Sequence, residues 1–162
     1  MIDVLFALLF LIAGQVGQTA EFCFQSAVIR SLVQETVRTR EPKCQLKAKR
    51  ESRSGYTYYE WDCEGESVSA LISTHPSIKR ATEVFKALPN TFAENGLRMR
   101  VKQRNGATGL GDENYFWEDD LNSALTGVDF RSKCVVVHVG TRSAKRAFQF
   151  ARLIADAIAR QD

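Results

Sequence analysis

The chain has 162 residues, 44% hydrophobic and 25% charged, with 22 Lys+Arg against 19 Asp+Glu and a net charge of +3. That balance fits one globular domain and excludes a multidomain enzyme, a collagen, a coiled-coil rod and a wholly disordered chain. A surplus of three positive charges is also too small to make nucleic acid the partner.

The first twenty residues stand apart. Val4 to Ala13 is an unbroken apolar run, and as a helix it would cover about 15 Å, half of a roughly 30 Å bilayer core. That length suits the central region of a signal peptide, and the small or polar Gly14, Gly17, Thr19 and Ala20 follow it as cleavage requires. Two features depart from the usual pattern. The segment before the run carries Asp3 and no Lys or Arg, and Gln18 stands where a small residue is preferred for cleavage after Ala20. Cleavage after Gly14 or Gly17, an uncleaved anchor and a buried helix therefore stay open. Gln15 follows Leu11-Ile12-Ala13-Gly14 where a lipid anchor would need cysteine. The expectation is a signal peptide over 1–20, a single domain over 21–162, and a periplasmic or secreted location. Membrane contact is expected only if the leader is retained.

Within 21–162, Val28, Leu32, Val33 and Val37 repeat at helical spacing and predict an amphipathic helix over Gln25–Arg38. Two runs of period two follow. Cys44, Leu46 and Ala48 share one face of the first, and Thr57, Tyr59, Trp61 and Cys63 share one face of the second. Folding them about Arg53-Ser54 sets Cys44 opposite Cys63, Leu46 opposite Trp61, Ala48 opposite Tyr59 and Lys47 opposite Glu60. A second turn at Glu64-Gly65 sets Val68, Ala70 and Ile72 opposite Trp61, Tyr59 and Thr57. Directly opposed cysteines have about the spacing of a disulfide. Four cysteines outside the cytosol point to two bridges, so the pairs predicted are Cys44–Cys63 and Cys23–Cys134. The first would stabilise by about 3 kcal/mol. Zinc is disfavoured, because no cysteine pair has CxxC spacing and neither histidine lies near a pair.

His75-Pro76 predicts the start of a second helix, with Ile78, Ala81, Phe85 and Leu88 inward and Pro89-Asn90 ending it. Leu97–Gln103 alternates as a strand with Leu97, Met99 and Val101 inward. Tyr115–Trp117 reads as a short strand. Val128–Arg131 and Cys134–Val139 read as strands about Ser132-Lys133. Ser143 opens a final helix with Ala144, Ala147, Phe148, Ala151, Ile154, Ala155 and Ile158 on one face. The predicted class is α+β, an antiparallel sheet packed by about three helices and held by two disulfides.

The chemistry is sparse. His75 beside Pro76 reads as a cap or turn residue, and His138 reads as a sheet residue on the face opposite Val135, Val137 and Val139. No GxSxG or HExxH motif is present. Gly106–Gly111 lacks the GK[ST] ending of a phosphate loop and runs into Asp112-Glu113, so it reads as a flexible connection. The acids Asp112, Glu113, Glu118, Asp119 and Asp120 lack EF-hand spacing and read as a solvated loop. No metal or cofactor is expected. Arg98, Arg100, Lys102 and Arg104 fall on one outward face at strand spacing. Glu60, Asp62 and Glu66 are possible partners within the sheet. If they leave it uncovered, this basic ridge, extended by Lys47, Lys49, Arg50 and Arg53 with Tyr56 and Tyr58, would meet an anionic ligand, an envelope component or an acidic protein.

Gly109-Leu110-Gly111-Asp112-Glu113-Asn114-Tyr115, followed by Cys134–Val139 and an alanine-rich helix, resembles the ending of small exported bacterial domains with a GxGDEAY-type motif. These include PsbP-like lipoproteins and PknH-type kinase sensor domains. The likeness covers roughly the last 55 residues, with Asn114 in place of the usual alanine. It implies an extracytoplasmic, non-catalytic module and carries over no catalytic residues. The function expected is an exported binding or interaction module of the bacterial envelope, acting through Arg98, Arg100, Lys102 and Arg104 or a cleft beside Asp112, Glu113 and Tyr115. The alternatives are a small secreted hydrolase pairing His75 or His138 with Asp112 or Glu113, and a structural envelope protein without a discrete ligand.

Overall fold

A computed structural model describes residues 23, 26–52, 55–94, 98–105, 107, 109–121 and 124–160. Residues 1–20, expected to be a leader, and the Arg53-Ser54 pair, Leu97 and Gly106 lie outside these residues. In chain order the elements are α1 (Ser26–Arg40), β1 (Cys44–Glu51), β2 (Tyr56–Cys63), β3 (Glu66–Thr74), α2 (Ile78–Glu94), β4 (Met99–Arg104), β5 (Glu113–Asp119), β6 (Thr126–Ser132), β7 (Val135–Thr141) and α3 (Ala144–Ala159). The strands form one antiparallel seven-stranded sheet in the order β1-β2-β3-β7-β6-β5-β4. This is the α+β class expected. Both disulfides, Cys44–Cys63 and Cys23–Cys134, are present.

The register of the first hairpin holds at its far end and shifts near its turn. Cys44 faces Cys63 and Leu46 faces Trp61, but Ala48 faces Glu60 and Lys49 faces Tyr59. The cause is the turn. Ser52 N donates to Tyr56 O at 2.9 Å, so three residues close the loop instead of two, and Gly55 takes a φ of +83° as such a loop requires. A bulge between Leu46 and Ala48 absorbs the extra residue and restores the cysteine pairing. Lys47 therefore pairs with Asp62 (3.8 Å) and not Glu60. Leu46 stays 39% exposed at the sheet edge. The second hairpin matches expectation, with Trp61, Tyr59 and Thr57 facing Val68, Ala70 and Ile72.

Trp61, Tyr59, Val68, Ile72, Val128, Phe130, Val137 and Val139 bury one face of the sheet against α1 and α3. The buried stripe of α1 is Ile29, Val33 and Val37, with Val28 exposed. On α3, Ala144 is exposed and Phe150 joins the core, stacking near Trp61 (5.5 Å). Each large apolar side chain buried here contributes about 1.5–3 kcal/mol. Two helix boundaries lie beyond expectation. α1 runs on to Arg40, and α2 continues through Pro89 to Glu94. Pro89 cannot donate to the carbonyl four residues back, yet the helix runs on to Glu94, and Phe92 in its last turn stacks on His138 at 4.2 Å. The β6–β7 turn is Lys133-Cys134, one residue later than expected, and Ser132 pairs with Val135.

Candidate functional site

The path of α2 creates the site. β3 is next to the middle strand of the sheet and β4 is its far edge, so the connecting helix must cross the second face over β7, β6 and β5. It packs Ala81, Phe85 and Leu88 on Tyr115, Trp117 and Val136. Among the described residues, the same face of β1, β2 and β3 carries no helix. A groove of about 400 Å³ lies along this step, floored by Tyr56 and Leu71 and walled by Val84, Ala87, Leu88 and Phe92 of α2, with Arg80, Glu83 and Thr91 at its lip. Its size is in the range of small-molecule sites, about 300–1,000 Å³.

Beneath Phe92 lies a polar cluster. Asp129, fully buried, accepts from Tyr115 Oη at 2.9 Å and Trp117 Nε1 at 2.8 Å. His138 Nδ1 sits 2.8 Å from Asp129 Oδ1, off the hydrogen-bonding line. The imidazole is sandwiched between Phe92 and Trp117, whose ring is 5.0 Å away. Trp117 can lie flat here because Gly127 sits beneath it; a Cβ there would come within 2.3 Å of the indole. Burial, reinforced by the Asp129 charge, holds the Tyr115 phenol well above its ordinary pKa, so it stays a donor.

At the α2 N-terminal end, Ser73 Oγ and His75 Nε2 are 2.9 Å apart. His75 meets Tyr56 edge-on at 6.4 Å and donates its backbone N–H to Cys134 O at 2.9 Å. Burial and then the nearby Arg80 charge push its pKa down.

Of the residues singled out from the sequence, Arg104 meets Tyr115 and Asp112 shares Arg131 with Glu113, but the basic row does not stay on one face. A bulge between Val101 and Gln103 turns Arg104 to the opposite side of β4 from Arg100, and its guanidinium lies 5.5 Å over the Tyr115 ring. Arg100 pairs with Glu118 (3.4 Å) and Asp120 (3.1 Å), and Lys102 pairs with Glu118 (3.2 Å). Arg98 is exposed before the strand. The matching acids thus come from the neighbouring β5 and the turn after it, and not from Glu60, Asp62 or Glu66. Lys47, Lys49 and Arg50 sit on β1, the opposite edge of the sheet, so no continuous basic face joins them to β4. Lys49 pairs with Glu51 and Arg50 lies over Tyr58.

The acidic stretch is mostly strand. Asp112 and Glu113 bind Arg131 at 2.8 and 3.1 Å, and Asp119 is buried and accepts from Leu121 N. Neither histidine has Asp112 or Glu113 as its partner, since His138 faces Asp129. Tyr115 is buried, 1% exposed. The Gly109–Gly111 segment, expected to be flexible, is anchored. Leu110 is buried in the core, Asn114 Nδ2 donates to Ala107 O and Leu110 O, and Asp112 N donates to Arg131 O. Gly111, at φ +62°, passes so close to Arg131 that a Cβ would sit 2.3 Å from its carbonyl oxygen. Among the described residues no cluster could hold a metal ion and no helix is long and apolar enough to cross a membrane.

Sequence reasoning missed the groove wall. Its signal was a second stripe on α2, Val84, Ala87, Thr91 and Phe92, hidden because Pro89 read as the helix end.

No protein-family model and no curated protein matches the chain. Two solved structures share the fold. The extracellular domain of PknH from Mycobacterium tuberculosis aligns with a TM-score of 0.55 at 12% identity, covering 86% of this chain and 99% of that one. A GTP binding regulator from Thermotoga maritima aligns with a TM-score of 0.51 at 12% identity, covering 83% and 87%. Paired disulfides such as these persist in oxidising compartments.

Proposed function

We propose that the protein is an exported, non-catalytic binding module, periplasmic or secreted after loss of residues 1–20, whose ligand seat is the groove between α2 and the bare face of β2 and β3. One observation carries the reading: a furrow of about 400 Å³ with apolar walls lies open on a sheet whose other face is closed by two helices. Apolar walls with a few polar groups at the lip suit a small molecule held by shape and burial. The Asp129–His138 cluster supports a rigid α2 wall, because Phe92 of that wall stacks on His138. The motif-level kinship with PsbP-like lipoproteins and PknH-type sensors belongs to the same reading. The basic residues of β4 offer a weaker surface, since Arg100 and Lys102 are already matched by acids.

Native mass spectrometry of the protein collected from the periplasm or medium tests this directly. The expected result is a chain starting after the leader, four hydrogens lighter than its reduced form, carrying a retained small molecule that is absent from the Ala87→Trp variant. Equal occupancy in that variant would place the ligand elsewhere and end the proposal.

A further inference from the structure

The groove is long as well as apolar. From Arg80 to Phe92 its α2 wall spans twelve residue steps, about 18 Å of helix, close to the length of an extended medium-length acyl chain. Its two ends differ in charge. The first turn of α2 carries Lys79 and Arg80 and no acid, and its last residue is Glu94. Both placements oppose the helix dipole, which favours anions at the N-terminus and cations at the C-terminus. Such a local conflict is costly unless something outside the helix relieves it.

α3 also starts with two cations, Lys145 and Arg146, but there Arg146 is matched by Glu41 and Glu66 from other elements. Among the described residues, Arg80 of α2 pairs only with Glu83 of its own helix, 3.2 Å away, and both side chains are at least half exposed. Exposed pairs of this kind are weak and exchange partners readily. Tyr56, on the groove floor, meets His75 edge-on at 6.4 Å at the same end.

We infer, building on the groove as the ligand seat, that its ligand is a single-chain amphiphile with an anionic head, the head at Arg80 and Tyr56 and the chain along Val84, Ala87, Leu88 and Phe92. An anion there answers the surplus of positive charge at the start of α2, where the exposed Glu83 is the acid that Arg80 meets, and the chain covers an apolar stripe that no described element covers. Carboxylate and phosphate heads share this chemistry.

Isothermal titration of the disulfide-bonded protein with dodecanoate, dodecanol and dodecylammonium, each below its micellar concentration, tests the assignment, with dodecyl phosphate distinguishing the two anions. Dodecanoate or dodecyl phosphate is expected to bind about tenfold or more tighter than the neutral and cationic probes, a preference lost in Arg80→Gln. Ala87→Trp is expected to weaken every probe by a similar factor while its circular dichroism and Tm match wild type. Equal binding of all head groups to wild type would overturn the anionic head and leave the groove standing. Binding untouched by Ala87→Trp would overturn both. No binding of any probe would overturn the acyl ligand, with the native mass spectrum deciding the groove independently.

Discussion

The two faces of the sheet solve the same burial problem in different ways. The face under α1 and α3 is filled with aliphatic and aromatic side chains and closed by helices that pack on each other and are tied at their surface by Arg40–Asp156 and Arg146–Glu41. The face under α2 holds a buried carboxylate, an imidazole and a nearly buried arginine, and half of it carries no helix among the described residues. Connectivity accounts for the difference. α1 and α3 lie at the ends of the folded chain and are free to lie side by side, whereas α2 must reach from β3 to the far edge in one crossing. A closed face stabilises, and a face crossed once leaves a step that can hold something else. This contrast can be broken at several points.

The largest effect should come from the polar cluster. Asp129→Ala leaves Tyr115 Oη and Trp117 Nε1 without their acceptor in a buried site and removes the charge beside His138, a loss of about 3–5 kcal/mol. Urea unfolding measures it. A loss under about 1 kcal/mol would mean that the cluster is not what holds α2 to the sheet. On the closed face the comparable test is the paired Cys44→Ser, Cys63→Ser variant. Its bridge spans 19 residues, which in the chain-entropy model corresponds to about 3 kcal/mol. Peptide mapping without reduction should show Cys44 joined to Cys63 in the wild type.

Gly127→Ala tests how tightly the second face is built. Its Cβ would fall 2.0 Å from Val139 O and 2.3 Å from the Trp117 ring. Backbone on one side and a pinned indole on the other leave little room to yield, so a loss of about 1–3 kcal/mol is expected, with changed Trp fluorescence. An unchanged spectrum would show that Trp117 is not wedged against the sheet.

How far the sequence reveals this molecule follows the same division. The first three strands and the Cys44–Cys63 pair are legible because period-two alternation and turn residues act locally, and Cys23–Cys134 follows as the pair that remains. The closed face is legible for the same reason, although a stripe shifted by one residue put Val28 in place of Ile29. The second face is not. Whether His138 meets Asp112, Glu113 or Asp129 depends on strand order, and the sequence contains β6 and β7 without saying that they end up in the middle. The basic residues of β4 illustrate a second limit. One bulged residue, Lys102, splits a row that perfect alternation would have kept together, and a bulge leaves no mark in a run of charged residues. Bulges at Lys47 and Lys102 lie on the two edge strands, where irregular pairing and a lysine discourage edge-to-edge association.

The bare half of the second face should tolerate bulk. Ala87 is exposed on the groove wall, so Ala87→Trp is expected to change stability by no more than about 0.5 kcal/mol, against the several lost at Asp129. Thermal unfolding checks this, and a large loss would mean that the groove is part of the packed core.

The smallest effect concerns His75, at the boundary between covered and bare sheet. Burial and Arg80 lower its pKa from the ordinary 6.5, so the folded protein resists a proton that the unfolded chain accepts. Above 6.5 both states are neutral and His75 costs nothing. As the pH falls below 6.5 the unfolded state gains the proton first, so stability declines until the folded pKa is passed. Between about pH 7.5 and about pH 5, wild-type Tm should therefore fall more steeply than that of His75→Gln. Arg80→Gln should lie between them, because it removes the charge and leaves the burial. Parallel curves for all three would place His75 in open solvent and move the edge of the covered face away from Tyr56.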